Sequence, residues 1–241
     1  MSAKRLYLLD IEGTVAPIAF VYGRLFPYAR AHFQDFLHRN RADAAVEADL
    51  LLLAGENRAE TDGGVPRIES FTAGMGVSRE QALSYLLWLM DRDRKSTALK
   101  SLQGKIWKAG FESGELQGEL YPDVPEAVAR WSGSGRVAIY SSGSVAAQEL
   151  LFRYSIYGDL TPYISSYFDT RTGAKINKLS YERIAAGMQI APREAIFFSD
   201  VTGELDPARE AGFETRLVVR EGNAGIDDAK GHIRVGSFDG I

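Results

Sequence analysis

The chain of 241 residues contains no cysteine. That excludes a disulfide framework, a thiol nucleophile and any zinc site built on thiolates. Histidine is scarce: His32, His38 and His232 are the only three, and their spacing is not that of zinc ligands. No run of lysine and arginine occurs; 28 basic residues stand against 32 acidic ones, for a formal charge of −4. Mild acidity argues against nucleic acid or an anionic membrane as a partner. The longest apolar run, Tyr85 to Met90, falls far short of the ~20 residues a membrane helix needs. Leu6 to Leu9 is likewise too short for the core of a signal peptide. There is no GxGxxG or P-loop sequence, no internal repeat and no low-complexity tract. These absences lead to the expectation of a soluble cytoplasmic protein.

What is present is a repeated pairing of short apolar runs with helical patterns. Hydrophobic residues make up 45% of the chain, enough for a full core. Leu6–Leu9, Val137–Tyr140, Ala195–Phe198 and Leu217–Val219 read as strands, and short all-apolar strands suit a parallel sheet covered on both faces. Between them, Asp123 with Glu126 reads as a helix start, Ser144 opens a helix over Val145–Phe152, and two more cover Leu179–Met188 and Leu205–Ala211, the last stopped by Gly212. This alternation predicts a doubly wound α/β fold. One interval is too long. From Thr14 to Ser141 the chain far exceeds the ~30 residues of a βαβ unit. The surplus is helical in pattern: Phe26, Ala29, Phe33, Phe36 and Leu37 share a face, Ser78 and Gln81 form a capping box, and a further helix covers Thr97–Phe111. Ala54–Glu69 reads as a loop. The expected organisation is an α/β core from 1–16 and 120–241, with 17–119 as a helical cap seated over the sheet edge.

Four stretches in a fixed order carry chemistry. Asp10-Ile11-Glu12-Gly13-Thr14 follows the first strand, Ser141-Ser142-Gly143-Ser144 the second and Ser199-Asp200, with Glu204, the third; Lys175 opens a helix. Open α/β sheets bind ligands at this strand edge. Hydrolysis of a phosphate monoester is among the slowest uncatalysed reactions, and a carboxylate nucleophile divides it into two easier steps through an aspartyl-phosphate. Asp10 is placed for that role. Glu12 lies two positions on, suited to acid–base work, and Thr14 is a candidate phosphate contact. Hydroxyls and N–H groups at a helix start, as at Ser141 and Ser142, bind phosphate. Lys175 would offset the phosphate charge, with Lys178 as a competing candidate. Asp200 and Glu204 are paired carboxylates, the oxygen donors Mg²⁺ prefers. Each stretch has a plainer reading as a solvated strand end or helix cap. A non-catalytic phosphate-binding module is the rival for the whole, and the occurrence of all four in order favours an enzyme.

At these residues the chain resembles the haloacid dehalogenase-like superfamily and, within it, the enolase-phosphatases of methionine salvage. The resemblance continues through Pro17-Ile18, Leu25-Phe26-Pro27-Tyr28, Asp93-Arg94-Lys95, Thr97 to Lys100, Ala147-Gln148 and Tyr167-Phe168-Asp169-Thr170. It spans nearly the whole chain, and Glu12, where the wider superfamily usually carries Asp, is its most specific sign. It implies a monomeric, bifunctional Mg²⁺-dependent enzyme that enolises and then dephosphorylates the small molecule 2,3-diketo-5-methylthiopentyl 1-phosphate. It also implies Asp10 as nucleophile and metal ligand, Glu12 and Asp200 at the metal, and Ser141, Ser142 and Lys175 at the phosphate. A phosphatase for another small phosphomonoester is the alternative. Tyr22-Gly23 and Pro207 depart from the family pattern and leave the cap hinge and Glu204 less defined.

Overall fold

The computed structural model describes residues 5–69, 76–225 and 228–241. In chain order the elements are β1 (Leu6–Leu9), α1 (Ile18–Phe20), α2 (Phe26–Arg39), α3 (Ala44–Ala59), α4 (Arg79–Asp91), α5 (Thr97–Ser113) and α6 (Val124–Ser134). They continue as β2 (Arg136–Tyr140), α7 (Val145–Arg153), β3 (Ser166–Phe168), α8 (Lys178–Gly187), β4 (Ala195–Ser199), α9 (Thr202–Glu210), β5 (Glu214–Val218) and β6 (Ile233–Val235). The chain divides into two compact units, one from 1–22 and 114–241, the other from 23–113.

The first unit is the expected doubly wound α/β fold. Among the described residues six strands form one parallel sheet in the order β3-β2-β1-β4-β5-β6. β1 is central, and Leu9 pairs with Ile139 on one side and Phe198 on the other. Asp10, Ser141 and Asp200 therefore leave the sheet at its carboxyl edge. The chain reverses direction across the sheet between β1 and β4, which opens a crevice there. Alternate residues cover the two faces. Leu6, Leu8, Tyr140 and Phe197 pack with Tyr181, Ile184 and Leu205 of α8 and α9. On the other face Trp131 of α6 stacks on Tyr7 at 4.7 Å and lies 5.3 Å from both Phe198 and Phe238.

The second unit is helical. Its core joins Phe33 and Leu37 of α2, Leu50 and Leu53 of α3, Leu86 and Leu89 of α4, and Leu102 and Ile106 of α5. Here two expectations are corrected. Ala54–Ala59 is not loop but the last part of α3, because Leu53, Ala54 and Asn57 are buried on one helix face and Asp43 caps the start through Ala45 N at 2.7 Å. The capping box at Ser78 is half made: Ser78 Oγ accepts from Gln81 N, while Gln81 Oε1 accepts from Glu69 N at 3.1 Å.

Other differences lie in the α/β unit. β3 and β6 are short and carry polar residues at or near the sheet edges, so they lack the apolar signal of the central strands. The strand expected at Leu217–Val219 begins earlier, at Glu214. Lys175 does not open a helix; α8 starts at Lys178, capped by Asn177. Asp123 makes no side-chain cap. Its carboxylate instead accepts from Arg220 Nη2 at 2.9 Å and from Phe238 N at 2.6 Å. Arg220 lies between the rings of Tyr121 and Phe238, 4.5 and 4.7 Å from their centroids.

Burial opposes ionisation of Asp123, but the Arg220 and Phe238 hydrogen bonds outweigh it and hold the carboxyl below its ordinary range. A lowered folded-state pKa gives stability that is present above the unfolded value, ~3.9, and lost as pH falls through the folded one. We predict that Asp123→Ala lowers stability at pH 7 by about 3–5 kcal/mol, the cost of orphaning a buried charge. Urea unfolding checks this, and the gap to the parent protein should narrow as pH is lowered below that value.

Candidate active site

β1 ends by donating Asp10 N to Phe198 O at 3.0 Å, which fixes the first acid beside β4. Ile11 N folds back onto Asp10 Oδ1 at 2.7 Å. The chain then turns sharply. Gly13 has φ +70 and donates its N–H to Ala16 O at 2.8 Å. A Cβ built there would stand 2.2 Å from Asp200 Oδ2. Glycine is thus required both by the left-handed backbone and by the approach of the Asp200 carboxylate.

Lys175 lies at the centre. Its Nζ is 2.5 Å from Asp10 Oδ1 and 2.7 Å from Glu204 Oε2. Burial alone would lower the lysine, but the charges of Asp10 and Glu204 outweigh it and hold the ammonium above its ordinary range. Lys178 pairs with Glu182 at 3.1 Å on an exposed part of α8, so of the two candidate lysines it is Lys175 that meets Asp10. Ser199 Oγ donates to Glu204 Oε2 at 2.9 Å and lies 3.4 Å from Asp10 Oδ2. The Tyr181 hydroxyl is 2.8 Å from Lys175 O and 2.9 Å from Glu204 O, binding the lysine loop to α9.

Asp200 is pushed up to about 7 by burial and by the negative charge of Asp10. Glu204 is pushed up to about 7 by burial and by Asp10, against the pull of Lys175. Two acids thus share the Lys175 ammonium, and the charge of Asp10 also acts on a third, Asp200. Among the described residues no group of three or more His, Cys, Asp or Glu side chains forms a ready-made metal cage. The donor set nevertheless suits Mg²⁺, which keeps waters and takes one or two carboxylates with substrate phosphate. Asp10 and Asp200 repel each other in a buried crevice, and a hard cation would relieve that repulsion. Glu12 is half-buried, and its charge adds to the shift at Asp200.

The serine loop is held from beneath. Ser141 is buried, with its Oγ accepting from Gly143 N at 3.1 Å, whereas Ser142 is exposed. Ser144 caps α7 by accepting from Ala147 N at 3.3 Å. Gln148 Nε2 donates to Gly143 O and Phe168 O, each at 2.9 Å, and ties the loop to β3. Thr14 is fully buried, and its hydroxyl finds no partner among the described residues. His232 lies between Thr215 and Asp206 at 2.7 and 3.1 Å, a structural role. Sequence reasoning missed Tyr181, Ser199 as a hydrogen-bond donor, Arg220 and Asn223. Tyr181 to Glu204, Arg220 to Asp123 and Asn223 to Gly13 span 23, 97 and 210 residues, and contacts of that reach leave no local pattern.

We predict that Lys175→Met, which leaves two buried carboxylates facing each other, costs about 3–5 kcal/mol of stability in urea unfolding at neutral pH. Lys178→Met, removing an exposed pair, should change it by less than about 0.5 kcal/mol. Equal effects would contradict the central position of Lys175.

Residues 4–212 match the family described as haloacid dehalogenase-like hydrolase. The enolase-phosphatase E1 of Synechococcus elongatus is 51% identical over 221 residues, covering 91% of this chain and 90% of that relative. That of Serratia proteamaculans is 44% identical over 98% of this chain and 96% of its own length. Among solved structures, the UTR4 protein from Saccharomyces cerevisiae superposes with a TM-score of 0.80 at 34% identity, covering 99% of this chain and all of that one.

Proposed function

The chain belongs to the haloacid dehalogenase-like hydrolases and, within them, to the enolase-phosphatases, and from that premise we propose how its residues act. The reaction assigned is the conversion of 2,3-diketo-5-methylthiopentyl 1-phosphate to 1,2-dihydroxy-3-keto-5-methylthiopentene and phosphate, a step of methionine salvage. The observation that carries the residue roles is the Asp10–Lys175 contact at the reversal point of the sheet, with Asp200 packed on Gly13 beside it.

Asp10 is the nucleophile. A carboxylate oxygen attacks phosphorus, the bond to the substrate oxygen breaks, and the phosphoryl group resides on Asp10 until water displaces it. Lys175 keeps its proton and so lies as a full positive charge against the transferring group, where preorganised charge is most effective. Glu204 and Ser199 hold Lys175 in place rather than meeting substrate. Glu12 gives a proton to the departing oxygen and later takes one from water, help of about 10²–10⁴ in rate. Ser141 and Ser142, with the N–H groups that open α7, receive the phosphate oxygens. Mg²⁺ is the cofactor assigned, with Asp10 and Asp200 as its carboxylates; when bound it neutralises phosphate charge and polarises the diketone for enolisation.

Asp10→Asn should abolish phosphate release in a protein that still unfolds in a single cooperative transition; appreciable turnover would remove Asp10 as nucleophile. An ultraviolet assay for the conjugated enediol tests the substrate. Phosphate release without that absorbance would assign the protein to another phosphomonoester.

A further inference from the structure

Asn223 lies in the connection between β5 and β6, just past Gly222, whose φ of +87 turns the chain back toward the nucleophile loop. Its Nδ2 donates to Gly13 O at 2.9 Å. That bond fixes which end of the amide faces which way: the nitrogen takes the carbonyl, and the oxygen is turned elsewhere. Asn223 Oδ1 is buried and has no partner among the described residues. A Cβ on Gly13 would meet Asp200 Oδ2 at 2.2 Å and Asn223 Oδ1 at 3.1 Å. Two oxygen acceptors therefore crowd over the same Cα, one from β4 and one from the β5–β6 connection.

Asn223 Oδ1 is costly there unless something donates to it, since an unsatisfied buried acceptor costs about 1–3 kcal/mol. The neighbourhood has two further orphans. The hydroxyl of Thr14, one residue past Gly13, and that of Tyr121 are buried without partners among the described residues. Tyr121 is joined to this loop through its N–H on Val15 O at 3.0 Å, and the charge of Asp200 adds to the rise of its pKa, which burial dominates. An unpartnered buried acceptor beside a carboxylate suits a hydrated cation: Mg²⁺ retains waters, and those waters need acceptors.

We propose that Asn223 is a positioning residue of the metal site, its Oδ1 accepting a hydrogen bond from a water carried by the divalent cation that Asp10 and Asp200 hold. This rests on the assignment of those two carboxylates made above. The same side chain does two jobs: its nitrogen clamps the Gly13 turn, and its oxygen receives the cation's water shell. Partners of this outer kind change metal affinity by about 10–100-fold when removed.

The test is Mg²⁺ titration of the metal-free full-length protein by calorimetry, with metal-free urea unfolding of each variant alongside. Asn223→Ala should weaken Mg²⁺ binding by about 10–100-fold. Asn223→Asp keeps an oxygen at the position and loses the donor to Gly13 O, and it should bind Mg²⁺ no more weakly than the parent. Equal weakening by both substitutions would reduce Asn223 to a clamp on the turn and overturn the proposal. Unchanged affinity in Asn223→Ala, while Asp200→Asn is weakened, overturns it alone. Unchanged affinity in Asp200→Asn removes the metal assignment and the proposal with it. If Asn223→Ala does not fold, Asn223→Asp decides: weakened binding overturns the proposal, and retained binding supports it.

Discussion

A buried ammonium shared by two carboxylates is the constraint on which the site depends. Lys175 is reached by Asp10 from the end of β1 and by Glu204 from the first turn of α9, so three separated segments converge on one charge. Taking these groups out of water costs several kcal/mol per ion, and only close geometry with added hydrogen bonds offsets it. Ser199 and Tyr181 supply those bonds. The arrangement still carries more negative than positive charge. Burial first, and the charge of Asp10 after it, push Asp200 and Glu204 up to about 7, so the crevice favours added positive charge.

The rest of the α/β unit keeps that cluster in register. Because β1 is flanked by β2 and β4 in parallel, the three strand ends emerge side by side, and their polar residues have no alternative position. Gln148 and Asp169 then fix the serine loop, the latter accepting from Val145 N at 3.4 Å at the start of α7. Arg220 and Asn223 grip the carbonyls of Thr14 and Gly13. The turn after Asp10 is thereby held by side chains that lie far away in sequence.

This division explains what could be read beforehand. Asp10, Ser141 and Asp200 were visible because each ends an apolar run with a polar residue, an abrupt change that only a buried strand reaching an edge produces. The parallel fold followed from the same runs. Glu204 was visible as an acid near a helix start but not as the partner of Lys175, since that pairing is tertiary. Asp123 looked like a helix cap because the local pattern is right, yet the Arg220 guanidinium competes better for its carboxylate than the helix N–H groups do. The end of α3 read as loop because Glu56 and its neighbours are polar; Glu56 in fact accepts from Thr97 N and Ala98 N at the start of α5.

The central place of β1 in the sheet also has a consequence for synthesis. β1 is the first strand made, yet its two neighbours are Arg136–Tyr140 and Ala195–Ser199. On the ribosome its N–H and C=O groups must wait, unpaired, until most of the polypeptide has been translated. The helical segment 23–113, contiguous in sequence and with its own apolar core, emerges complete during that delay. Nascent chains bury local contacts before distant ones, so the carboxyl edge formed by β1, β2 and β4 can close only after that segment has emerged.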